Sequence, residues 1–75
     1  MTPKQIEAAR RAVGGLTDDE LDQAVVEYGD WHLPTLKAEY QQLKSELERA
    51  TPEGGIAWAW VRKMAAAIAM RETHE

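Results

Sequence analysis

The stretch IAWAWVRKMAAAIAM, residues 56–70, decides how this chain is read. It is rich in Ala, the best helix former, and holds neither Gly nor Pro, so it predicts a helix from about 56 to 71. On a wheel of 100° per residue, Ala57, Trp60, Val61, Met64 and Ile68 gather on one side as a core face. Trp58, Ala65 and Ala69 fall on a second side beside Arg62, while Ala59, Ala66 and Met70 leave the remainder with little polarity. A helix that is apolar nearly all round is enclosed by other structure. In a 75-residue chain three further helices offer limited cover, so a second molecule is expected to supply the rest.

Upstream, Gly, Pro and Thr divide the chain into three more helical segments. Thr2-Pro3-Lys4-Gln5 reads as a capping box with Pro at the first helical position, and Gly14-Gly15 closes a helix predicted over about 3–13. Thr17-Asp18-Asp19-Glu20 is a second box, opening a helix over about 18–29 with its carboxylates where the helix dipole favours them. Leu21, Ala24, Val25 and Tyr28 form its apolar stripe, and Gly29-Asp30 closes it. Pro34 then starts a helix over about 34–50, pushing Leu33 away from the α region. Leu33, Leu36, Tyr40, Leu43, Leu47 and Ala50 follow heptad spacing over about two heptads, where a coiled coil wants three or four, so packing inside a bundle explains the seam equally well. Thr51 to Gly55 reads as the last connection. No alternating strand pattern competes. The expected fold is all-α, a small three- or four-helix bundle forming one domain over residues 1–75 with a short polar tail at 72–75.

Composition narrows function by exclusion. A domain this small has little stability in reserve, and with no cysteine it relies on helix packing or self-association. A net charge of −4 argues against sequence-independent binding to nucleic acid or anionic membrane, and no stretch reaches the ~20 apolar residues that span a bilayer. The N-terminal residues lack the apolar core of a signal peptide, so a cytoplasmic protein is expected. The composition has a prokaryotic or phage-like character.

Catalytic chemistry finds no foothold. Ser45 has no histidine at helical spacing, there is no cysteine nucleophile, and neither glycine pair belongs to a phosphate-binding motif. Glu27, Asp30 and His32 form the one cluster with metal-ligand types, but no histidine pair stands at i,i+4, and neither metal nor cofactor is expected. A helix-turn-helix reading places Pro34-Thr35-Leu36-Lys37-Ala38-Glu39 at the start of a recognition helix that is poor in base-reading cations. Trp31, between two helices, reads as a core aromatic plugging the bundle end.

Two features remain as candidate interfaces. Trp58, Arg62, Ala65 and Ala69 combine residue types typical of interface hot spots with small positions that permit close approach. Asp18, Asp19 and Asp22 offer an acidic face to a basic partner surface, although helix starts place acids there for their own reasons. The expected function is therefore a non-catalytic protein-interaction module, a regulator, adaptor or inhibitor of a partner protein, and the chain is also expected to be a homo-oligomer. The alternatives are a structural or assembly protein of a phage or bacterium, a DNA-binding regulator, and an acidic mimic of nucleic acid.

Overall fold

A computed structural model describes residues 2–50 and 55–73. Four helices follow in order: α1 Pro3–Ala12, α2 Asp18–Tyr28, α3 Leu33–Ala50 and α4 Ile56–Glu72. Among the described residues there is no strand. The small all-α bundle read from the sequence is the fold, with helix ends within one residue of those expected.

Both predicted capping boxes form. The Thr2 hydroxyl accepts from the Gln5 N–H at 3.2 Å while the Gln5 carboxamide accepts from the Thr2 N–H at 3.0 Å. Thr17 and Glu20 repeat this at the start of α2, with both bonds at 3.1 Å. Each box satisfies two backbone donors that a helix start leaves without intrahelical partners. Thr17→Ala is expected to cost about 1 kcal/mol, read as a lower urea midpoint with unchanged slope.

The chain departs from expectation at Leu33. Instead of leaving the α region before Pro34, it forms the first residue of α3, and the Leu36 N–H bonds to the His32 carbonyl at 2.9 Å. Proline is tolerated in a first turn because its missing N–H would have no intrahelical acceptor there. Gly15 takes φ +71° in the turn after α1, the left-handed conformation that suits glycine.

α4 lies at the centre. It packs against α1, α2 and α3, whereas those three make at most glancing contact with one another. The core joins Ala9, Val13 and Leu16 to Leu21, Ala24 and Tyr28, Leu36 of α3, and Met64, Ala66, Ala67 and Met70 of α4. The expected core face of α4 is thus too narrow. Val61 and Met64 are buried as anticipated and Ala57, Trp60 and Ile68 are half-buried, whereas Ala66 and Met70, assigned to the remainder of the wheel, are buried, as is Ala67. Even Lys63 is only 9% exposed. Its stem is covered while its Nζ stands 4.1 Å from the Trp60 ring centroid, an arrangement that keeps a cation favourable on a mostly apolar helix.

The bundle ends are less covered than the sequence suggests. Trp31 is 37% exposed and meets Tyr28 edge-on with ring centroids 5.2 Å apart, so it leans on the bundle without plugging it. The Arg71 guanidinium donates to the Trp31 carbonyl and to the Tyr28 carbonyl, pinning the α2–α3 connection to the end of α4. The predicted connection over 51–54, together with His74 and Glu75 of the expected tail, lies outside the described residues. Glu72, placed in that tail by the sequence, is the last residue of α4.

Candidate interaction groove

α1 and α3 flank α4 with at most glancing contact between them, and this leaves a strip of α4 only partly covered. Trp58, Arg62, Ala65, Ala69 and Glu72 stand four, three, four and three residues apart, so they form one stripe about 21 Å long. The four interface candidates on the last helix are therefore brought together as the floor of a groove. All four, Trp58, Arg62, Ala65 and Ala69, are half-buried.

The groove consists of two adjoining hollows that share Ala12 of α1, Tyr40 of α3 and Ala65 of α4. One, of about 330 Å³, is completed by Lys37, Gln41, Ile68, Ala69 and Glu72. The other, of about 230 Å³, is completed by Val13, Gly14, Lys44, Trp58, Val61 and Arg62. Small side chains line the floor, and both hollows are broadly open to solvent. Alanines at positions 12, 65 and 69 leave the helix backbones near the surface, while Tyr40, Ile68 and Trp58 provide larger apolar side chains.

Among the described lining residues the charged ones are Lys37, Lys44, Arg62 and Glu72. The Lys37 Nζ is paired with Glu72 at 2.9 Å. The Lys44 Nζ lies 5.6 Å from the Tyr40 ring centroid, where its charge leans over the groove's main aromatic. Arg62 is engaged with its own fold. Its Nε donates to Glu20 Oε2 at 3.1 Å and its Nη2 to the Gly14 carbonyl at 3.2 Å, locking α4 to the α1–α2 turn and the start of α2.

That lock has a titration signature. The Glu20 carboxyl is held below its usual value, first by the Arg62 hydrogen bond and next by the Thr17 N–H, with partial burial pushing the other way. A carboxylate lowered on folding contributes stability that is complete above its unfolded value of 4.5 and disappears as pH falls through the folded value. Unfolding free energy is thus expected to decline as pH drops below about 4.5, and Glu20→Gln is expected to flatten that decline in urea titrations.

The acidic candidates divide. Asp18 receives Arg10 Nη2 at 2.6 Å, an exposed pair that ties α2 to α1. Asp19 and Asp22 remain exposed on the outer side of α2. Between Asp22 and the end of the helix, Val26 is 79% exposed, an apolar side chain on an otherwise charged face. Sequence reasoning missed Val26, and also Ala12, Tyr40, Lys37 and Lys44 as groove walls. Val26 lies outside the stripe of Leu21, Ala24 and Tyr28, a position that marks it as outward-facing; the walls carried no such signal, because they depend on how α1 and α3 lean against α4.

Among the described residues no three His, Asp or Glu side chains gather as metal ligands, so Glu27, Asp30 and His32 do not form a centre. The His32 Nδ1 instead lies 3.1 Å from the Thr35 hydroxyl at the start of α3. Among those residues no helix is long and apolar enough to cross a membrane. In comparisons with known proteins, the chain matches no family model, no curated protein and no solved structure.

Proposed function

We propose that this protein is a non-catalytic interaction module that receives a helix from a protein partner in the groove between α1 and α3. The observation that supports this is the open stripe of α4, where Ala65 and Ala69 form an apolar floor flanked by Tyr40 and by the lysines of α3. Helix-in-groove recognition uses these elements: an apolar floor for the buried face of the guest and charged rims that select its flanks. The rims here favour carboxylates, so the preferred guest is an amphipathic helix with acidic flanks.

Backbone amide shifts of the labelled protein test the reading, with one designed amphipathic helical peptide carrying acidic flanks and a second carrying basic flanks in their place. The acidic peptide is expected to shift Ala12, Tyr40, Ala65 and Ala69, and Ala65→Gln, which fills the floor, is expected to abolish the effect. Equal response to both peptides, or no response along the groove from either, overturns the proposal.

A further inference from the structure

We propose that the α1–α2 turn is a latch that acid releases on its own: when Glu20 takes up a proton, residues 14–20 detach from α4 while the rest of the bundle stays folded. One carboxylate holds both the turn and the start of α2. Glu20 Oε2 receives the Arg62 Nε at 3.1 Å, while its Oε1 receives the Thr17 N–H at 3.1 Å and the Arg62 Nη2 at 3.4 Å. The same Nη2 donates to the Gly14 carbonyl at 3.2 Å. A single guanidinium thus ties α4 to the turn and to the first residues of α2, and Glu20 is the charge that holds it there.

The segment is built to separate. α1 and α2 make at most glancing contact with each other. A side chain at Gly14 or Gly15 would meet no atom of a more distant residue within 4 Å, so packing does not fix the glycines, and Gly15 supplies the bend. Between residues 14 and 20 the one buried side chain is Leu16, while Val13 before the segment and Leu21 after it are anchored in the core. Segments with few buried contacts open at lower free energy than the whole domain.

Charge sets the trigger. A proton on Glu20 removes the ionic character of the bonds from Arg62 and Thr17, which share that carboxylate. The other charges at this corner are Arg10 of α1, paired with Asp18 at 2.6 Å, and Asp19, also in the first turn of α2. The Asp18 side chain is 87% exposed against 20% for Glu20, so solvent screens its pair and Glu20 is the sensor. The Arg62 hydrogen bond holds the Glu20 carboxyl below its ordinary 4.5, which puts release on the acid side of that value.

Amide hydrogen exchange of the labelled full chain from about pH 7 to about pH 3 tests the latch, read as protection relative to the intrinsic rate at each pH. The Leu21 N–H, bonded to the Thr17 carbonyl at 3.0 Å, reports the turn without touching the carboxylate. Its protection is expected to fall about tenfold below pH 4.5 while Ala66, Ala67 and Met70 in α4 keep theirs, with the Arg62 Nε–H resonance moving at the same midpoint. Arg62→Met, which keeps an apolar stem and removes the cation, is expected to lower Leu21 protection by a similar factor at neutral pH. Glu20→Gln still accepts from the Thr17 N–H but carries no charge to lose, so it is expected to abolish the acid response, whereas Asp18→Asn retains it. Circular dichroism verifies the helix content of each variant, and the wild-type titration stands without them. Leu21 and α4 losing protection together, an acid response that survives Glu20→Gln, or a folded Arg62→Met with unchanged Leu21 protection overturns the inference.

Discussion

Leu36→Ala is expected to lower the unfolding free energy by about 2–5 kcal/mol, the range for deleting a fully buried leucine side chain. Among the described residues Leu36 is the largest side chain with no accessible surface, and the only residue of α3 in the buried core. Its neighbours along the seam, Leu33, Tyr40, Leu43 and Leu47, are half-buried, so none can take over its place. Removing it deletes transfer free energy and leaves a cavity whose lining is shared with α4. At roughly 0.05–0.15 kcal/mol per residue, a chain of this length holds only about 4–11 kcal/mol in total. The variant is thus expected to melt at least about 10 °C lower, by circular dichroism. A loss under about 1 kcal/mol in urea would show that α3 is not held through Leu36.

Ala66→Leu is expected to destabilise by about 1–3 kcal/mol, although leucine is more hydrophobic and nearly as good a helix former. Ala66 has no accessible surface, and Ala9 of α1 and Ala24 of α2 are equally enclosed in the same core. With α4 at the centre, small residues let three helices approach it, and a larger side chain at that position must force one of them outward. The same change three residues along gives the contrast. Ala69 lies on the groove floor, where added carbon atoms enter open space, so Ala69→Leu is expected to stay within about 0.5 kcal/mol of wild type. Paired urea titrations of the two variants compare closed and open sides of one helix directly; equal losses would mean the groove is not open at Ala69.

The contrast between Ala66 and Ala69 also marks what could be read from the chain. Both are alanines in the run AAAIA at 65–69, and the wheel separates them by angle alone. It set Trp58, Arg62, Ala65 and Ala69 apart from the core face, and that stripe is the open one. It erred on Ala66 and Met70, because the width of the buried face is set by the number of helices packed around α4, which angle does not encode. Three helices cover much of α4, and the stripe of Trp58, Arg62, Ala65 and Ala69 is among the parts they leave half-buried.

Local physics settled the elements themselves. Thr2 and Thr17 start helices because their hydroxyls and the facing Gln5 and Glu20 satisfy donors within one turn, and apolar spacing chooses the buried stripe on each helix. These interactions span four residues or fewer, so they are legible in sequence. The groove, the Arg62–Glu20 lock and the burial of Lys63 came only from the tertiary structure. Arg62 and Glu20 are 42 residues apart and meet because α2 packs on α4. The sequence by itself thus determined where this chain is helical and which stripe of its last helix differs from the rest. The packing of α1 and α3 on either side decided that the stripe is a groove with basic walls, because charge and shape at a surface depend on which distant side chains the fold brings together.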